Sequence, residues 1–317
     1  MIVALAGGVG GAKLAQGLYQ VLPPDTLTII GNTGDDFELW GLHISPDLDT
    51  VMYTLAGRAN PAAGWGVAGE TWSALEMMRA YGAATWFRIG DQDLATHVRR
   101  TELMREGHTL TGATADLMTG LDLRARLLPM TNDRVRTLVD TDAGRMPFQT
   151  YFVQRQQQDT VLGGIFEGAD LANVTAEVTA AIDRADAIIL CPSNPIVSIG
   201  PILAVPLMRD LLEESPAPKV AVSPIVGGKA LKGPADRMLT SLGHESSALG
   251  VARLYEGLAQ GFVIDRVDAD LQPAIEALGM HVLVTQTVMQ GEADRARLAT
   301  EVLAFAQTLE QPVSLRW

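Results

Sequence analysis

Ile2–Lys13, IVALAGGVGGAK, opens as five apolar residues and then breaks into four glycines and a lysine. Ile2–Ala6 is apolar at every position, which is the pattern of a strand buried on both faces. From about Ala12 to Val21 the periodicity turns helical. The unit is therefore strand, glycine loop, helix. Gly7, Gly8, Gly10 and Gly11 free the backbone to adopt unusual dihedrals and let an anion approach the amide N–H groups. The helix N-terminus adds partial positive charge. A plain βα turn needs one glycine or two, so four predict a phosphate site, with Lys13 at its edge. No G-K-[ST] end follows, so this is not a Walker A loop, and the spacing does not fit G-x-G-x-x-G.

Working outward, Leu27–Gly31 reads as the second strand, and later strands are expected at Ala187–Leu190, Val220–Val222, Phe262–Asp265 and Val282–Val284. Apolar runs alternating with helical segments predict an α/β fold whose mostly parallel sheet is covered on both sides, a three-layer αβα core. Between about 50 and 123 the reading is helical: Thr50–Ala56, Thr71–Tyr81, Asp93–Glu106 and Thr114–Leu121. Residues 135–166 read as a small antiparallel β unit, with strands at Arg136–Asp140 and Gln149–Gln154. Asp294–Leu309 reads as a closing helix. Composition does not shift at these edges, so residues 1–317 are expected to form one domain carrying a helical insertion.

The 317 residues include 24 Lys plus Arg against 37 Asp plus Glu, a formal net charge of −13. That argues against a protein that coats nucleic acid, whose footprint is basic. It leaves room for a phosphorylated ligand whose charge a metal ion offsets. With 47% hydrophobic residues the chain can build a large core, and Cys191, alone, can make neither an internal disulfide nor a thiolate cluster. Following an apolar strand and preceding Pro192, it reads as a core thiol. No run of 18 apolar residues predicts a membrane span, and the expected location is the cytoplasm. Trp72, Met77 and Met78 read as core.

Asn32-Thr33-Gly34-Asp35-Asp36 follows the second strand directly. Ligands of open α/β sheets sit at such carboxyl ends. Two adjacent carboxylates near a phosphate loop suit a hard divalent cation such as Mg²⁺. In Ser45-Pro46-Asp47-Leu48-Asp49 a helix begins near Asp47 or Asp49; one aspartate serves as its cap and one is spare. In Arg88-Ile89-Gly90-Asp91-Gln92-Asp93, Asp91 or Asp93 is expected to cap the next helix, with Arg88 left to pair or to meet a ligand. His97, on that helix, reads as structural. Pro192-Ser193-Asn194-Pro195 is a stiff polar turn at another strand end. Ser223–Ala235 is a second glycine-rich loop with Lys229 and Lys232 as anion contacts. No G-x-S-x-G elbow or H-E-x-x-H motif is present. The residues point to phosphate chemistry, in which a protein chiefly positions groups and neutralises charge.

Taken together, GGVGGAKL at 7–14, NTGDD at 32–36, ISPDLDTVMY at 44–53, FRIGDQDLATH at 87–97, PSNPIVSIGPIL at 192–203 and SPIVGGKALKGPA at 223–235 resemble the CofD family. Six segments in one order make the resemblance specific. It implies a Rossmann-like fold, a homodimer, and a transferase of coenzyme F-420 biosynthesis. The donor would be a guanosine diphosphate ester of phosphoenolpyruvate or 2-phospho-L-lactate. The acceptor would be the deazaflavin Fo, whose ribityl hydroxyl attacks the distal phosphorus while GMP leaves, with Mg²⁺ required. By position, Asp49 and Arg88 match the family's Fo contacts, and Asp49 is also expected to orient or deprotonate the hydroxyl. Gly7, Gly8, Gly10, Gly11, Lys13, Asn32, Ser193 and Asn194 match the nucleotide and phosphate side. Asp35 and Asp49 are expected to hold the metal. Trp65, Trp72, Trp86 and Phe87 are offered as walls for the tricyclic ring.

Two other readings stand beside this one. Proteins of the YvcK type share a similar fold and glycine-rich start, and bind UDP-sugars as regulators without transferase activity. Their second-strand loop resembles DDGGSSG, whereas NTGDDFELWG stands here. An ordinary nucleotide-sugar or dinucleotide enzyme would explain the first turn alone.

Overall fold

The computed structural model describes residues 1–309. Seven parallel strands form the central sheet: β1 (Ile2–Ala6), β2 (Leu27–Gly31), β3 (Arg126–Pro129), β4 (Ala187–Leu190), β5 (Lys219–Val222), β6 (Gly261–Asp265) and β7 (His281–Thr285). Their order is β7-β6-β5-β4-β1-β2-β3. The chain builds outward from β1 in one direction through β2 and β3, and in the other through β4 to β7. The winding therefore reverses between β1 and β4, where the crevice of such a sheet opens. β1 pairs with β2 from Ile2↔Leu27 to Ala6↔Gly31, and with β4 from Ile2↔Ala187 to Leu5↔Leu190.

Alternation along β1 feeds two cores. Val3 and Leu5 join Ile188, Leu190 and Phe262 on one side of the sheet. Ala4 and Ala6 join Ile29, Ile189 and Val263 on the other. Both faces are covered, as the apolar runs require. α1 (Gly8–Val21) packs on the closing helix Glu292–Thr308, and Gly17 permits the approach because a Cβ there would strike the Arg295 carbonyl.

The helical stretch between β2 and β3 is α2 (Pro46–Leu55), α3 (Ser73–Ala80), α4 (Asp91–Arg105) and α5 (Leu110–Gly120). α2 and α5 belong to the main core through Leu48, Val51, Met52, Leu110 and Met118. A hairpin, Phe37–Leu39 with Leu42–Ile44, precedes α2.

Three expectations are corrected. The small β unit consists of Arg136–Thr141 between Gly144–Pro147 and Val161–Glu167; Gln149–Gln154 is not a strand, and Thr150–Gln154 forms a π-helical turn. Its aromatics recur at helical spacing, so Phe148, Tyr151 and Phe152 turn one face toward Val197 and Met238. Met77 is 51% exposed, and Trp72 is half-buried at the surface, because α3 buries only Leu75. Finally, neither Asp91 nor Asp93 caps α4, whose N-cap is Gly90. Asp91 instead accepts the Ser73 and Ala74 amides at 3.1 and 3.0 Å, serving the start of α3.

Candidate functional site

A cavity of about 240 Å³ opens at the carboxyl ends of the strands, over the switch point. The glycine loop forms its floor. Gly7, the N-cap of α1, has no side chain to cap the helix; the Gly8 amide turns to Asp47, and the Val9 and Gly10 amides of the first turn are left for a ligand. The glycines also answer a steric demand. A Cβ on Gly10 would strike the Pro192 carbonyl, one on Gly11 the Ser193 hydroxyl, and one on Gly7 the Asp47 carboxylate. Gly8 alone takes a left-handed φ, +63°. The loops after β1 and β4 thus lie in contact, joined by the Gly7 amide donating to Ser193 Oγ at 3.0 Å.

The polar residues assigned to the nucleotide side divide into those bound within the fold and those open to the cavity. Asn32 does not line the cavity; it donates to Asp47 Oδ2 at 2.9 Å and accepts the Gly34 amide at 2.8 Å. Its function here is to orient Asp47. Asn194 borders the cavity but turns Oδ1 back onto the Ile196 amide at 2.9 Å. Lys13 lines the cavity and donates to the Met289 carbonyl at 2.9 Å. Burial, then Arg295 and Lys232, hold its ammonium below the usual lysine range. Lys232 lies at the mouth, donating to the Ala62 and Ala63 carbonyls at 3.2 and 2.8 Å. Lys229 does not line the cavity and is exposed.

Asp35, Asp47 and Asp49 all border the cavity and all are buried. Ser45 occupies the N-cap of α2, its side chain making no bond to the helix amides, so neither Asp47 nor Asp49 is the N-cap residue there. Burial, then Asp47 and Asp36, push the Asp35 carboxyl well above the carboxylate range. Asp47 is pushed up to about 6, first by burial, against the hydrogen bonds from Asn32 and Gly8 that favour its charged form. Asp35 Oδ1 is buried without a hydrogen-bond partner. Close buried carboxylates with an orphaned oxygen are a donor set that a hard divalent cation fits. Asp49 differs, because both of its oxygens accept from Arg100. Asp36 is drawn to the hairpin, where Ser45 Oγ donates at 2.8 Å and His43 Nε2 lies at 3.0 Å.

At the opposite wall Arg88 is exposed at the cavity edge, its guanidinium 4.3 Å above the Trp72 ring. Trp65 and Phe87 line the cavity; Trp72 and Trp86 do not, Trp86 instead packing on Phe37 and Phe87 at 5.6 and 5.8 Å. Phe148 and Phe152, unsuspected from the sequence, complete the apolar wall, stacked at 5.5 Å and 8°. Also unsuspected are Arg100 and the company His97 keeps. His97 Nδ1 lies 3.6 Å from Asp49, its Nε2 3.4 Å from Asp93, and Tyr53 donates to Asp93 at 2.8 Å. Asp93, His97 and Arg100 recur at helical spacing on α4, opposite Asp49 and Tyr53 on α2. That polar stripe was the available signal.

The site is thus a strand-end crevice with free amides, buried carboxylates and one aromatic wall. Comparison with known proteins bears on the family and the fold. A phosphoenolpyruvate transferase of Streptomyces griseus is 42% identical, with 96% of this chain and 98% of that protein covered. A 2-phospho-L-lactate transferase of Methanosarcina mazei is 36% identical over 95% and 99%. Among solved structures, a UPF0052-family protein of Bacillus halodurans superposes with a TM-score of 0.64 at 15% identity, covering 95% of this chain and 98% of that one; it shares the fold. Residues 2–307 match the family described as 2-phospho-L-lactate transferase CofD, and the chain belongs to that transferase family.

Proposed function

We propose that this chain transfers a phosphoenolpyruvate group from its guanosine diphosphate ester to the ribityl hydroxyl of the deazaflavin Fo, in coenzyme F-420 biosynthesis. The observation that carries the reading is the 42% identity to phosphoenolpyruvate transferases over nearly the full length of both chains. The relatives named for 2-phospho-L-lactate stand somewhat lower, at 36 and 37%, which favours the enol acid as the group moved. In keeping with the family resemblance, the protein works in the cytoplasm as a homodimer; no helix among the described residues is long and apolar enough to cross a membrane.

In this reaction the hydroxyl oxygen forms a bond to the distal phosphorus, the bond from that phosphorus to the bridging oxygen breaks, GMP leaves with that oxygen, and the hydroxyl proton passes to solvent. The first-turn amides at Val9 and Gly10 and the ammonium of Lys13 receive the diphosphate. Asp35 and Asp47 fit a magnesium ion, which when bound supplies charge neutralisation and polarises the phosphoryl oxygens. Asp49 accepts a hydrogen bond from the attacking hydroxyl and orients it. Arg88 meets the polar edge of the deazaflavin, and Phe87, Phe148 and Phe152 face its rings.

The test is to incubate the purified protein with Fo, Mg²⁺ and either guanosine diphosphate ester, following GMP release and product mass. The expected product is Fo carrying a phosphoenolpyruvate, formed faster than the phospholactate product. Absence of product with both donors, together with tight binding of a UDP-sugar, would overturn the reading in favour of a regulatory protein.

A further inference from the structure

We propose that Arg100 is a positioning residue: from a buried box on α4 it fixes the Asp49 carboxylate at the cavity wall and so sets how the acceptor is held. The proposal rests on the reading that Asp49 contacts the acceptor.

Arg100 is 1% exposed, and an arginine so buried persists only when paired. Its Nη1 donates to Asp49 Oδ2 at 3.1 Å and its Nη2 donates to Asp49 Oδ1. The pairing is bidentate, which fixes the plane of the carboxylate as well as its place. Around the pair lie the ring of His97, 3.4 Å from Arg100 Nη1, and Asp93, which accepts from Tyr53. Asp49 and Tyr53 come from α2; Asp93, His97 and Arg100 come from α4. Two helices are thereby tied together behind one face of the cavity, and of the two paired residues only Asp49 reaches it.

The charge balance argues for a functional origin. A buried ion pair is seldom worth more to stability than well-packed apolar side chains, because desolvation costs about as much as the attraction returns. Where two packed helices need only cohesion, leucines suffice. An ionised pair at a cavity wall retains a carboxylate that can accept a hydrogen bond with no reorganisation when substrate arrives. Asp49, Asp93 and His97 also bring ligand atoms within 4.8 Å of one another, as a metal site would. The guanidinium already seated on both Asp49 oxygens supplies the cation of that cluster, so the arrangement is a strut and not a second metal centre.

The experiment compares the full chain with Arg100→Lys, Arg100→Met, Asp49→Asn and the Asp49→Asn/Arg100→Met double variant. Readouts are Fo affinity from deazaflavin fluorescence, GDP affinity, and KM for each substrate against kcat. Arg100→Met is expected to weaken Fo binding at least tenfold and to lower kcat while GDP affinity stays within twofold. Arg100→Lys is expected to restore part of kcat, and the double variant to be no worse than Asp49→Asn. The proposal is overturned if Arg100→Met lowers the melting temperature with Fo affinity and kcat unchanged, or if its losses simply add to those of Asp49→Asn. Should Arg100→Met fail to fold, Arg100→Lys decides alone: a severalfold rise in KM for Fo at unchanged donor KM supports the proposal, and unchanged kinetics overturn it. If Asp49→Asn itself leaves Fo affinity intact, the acceptor assignment of Asp49 fails instead, irrespective of what Arg100 does.

Discussion

The Gly7 amide donates to the Ser193 hydroxyl at 3.0 Å across 186 residues of sequence. This bond ties the loop after β1 to the loop after β4 at the point where the sheet reverses its winding. Ser193→Ala removes the acceptor and leaves a buried donor unpaired, a cost of about 1–3 kcal/mol. A lowered melting temperature and weaker GDP binding are expected, with Fo affinity unchanged. Gly11→Ala attacks the same contact sterically, because its Cβ would meet Ser193 Oγ and Ala6. It is expected to be at least as destabilising. Thermal melts and GDP titrations of both variants check the pair.

Asp47 makes stability fall as pH rises in the absence of metal. Its folded-state value is raised to about 6, chiefly by burial, so the folded protein holds this proton more tightly than the unfolded chain does. The resulting stabilisation is complete below the unfolded carboxylate value of about 4. It is lost progressively as pH rises through that value toward 6. Asp35 shifts in the same direction. The metal-free protein is therefore expected to melt at higher temperature at pH 5 than at pH 7, and Mg²⁺ to raise the pH 7 value most. Asp47→Asn should flatten the pH dependence and remove most of the response to Mg²⁺. A metal-free melting temperature that rises from pH 5 to 7 and ignores Asp47→Asn would contradict this account.

Cys191 is expected to be inert in the native state. It is fully buried at the end of β4, and burial pushes its thiol far above the usual range, so the reactive thiolate is absent. An aromatic disulfide reagent should react with the folded protein only at the rate of unfolding, and promptly in denaturant. Fast labelling without unfolding would show that the loop after β4 opens.

Which parts of this were legible beforehand follows from how local each signal is. β1, β2 and β4 are legible to the residue, because strands buried on both faces form near-continuous apolar runs, interrupted here only by Thr28. The glycine loop was equally legible, although its glycines prove to serve close packing against Pro192, Ser193 and Asp47 as well as ligand approach. Residues 149–154 misled because aromatic and β-branched residues favour strands, while the tertiary contacts of Tyr151 and Phe152 favour a helical turn. His97 stands alone on its helix in the sequence, a pattern that reads as structural. Its partners Asp49 and Asp93 come from two helices, and only the fold brings them to either side of the ring. Asn32 had the right chemistry in the right loop, yet its hydrogen bonds are spent on Asp47 and Gly34.

Arg88, at the cavity edge, is paired with the Trp72 ring outside it. The guanidinium lies 4.3 Å from the centre of the indole, at an exposed position. An exposed contact of this kind contributes about 0.5–1 kcal/mol, which is roughly a two- to fivefold change in an equilibrium constant. Its value to binding is pre-organisation: a stacked guanidinium has fewer side-chain states to lose when a ligand arrives. Trp72→Ala should therefore raise the dissociation constant for Fo two- to fivefold without changing that for GDP. Trp72→Phe should recover part of the loss, since a smaller aromatic face remains. Arg88→Lys should be worse than Trp72→Ala, because the planar fork that both stacks and donates is gone. Fluorescence titration of the three variants with Fo orders them, and equal affinities throughout would overturn the proposed role of Arg88 in holding the acceptor.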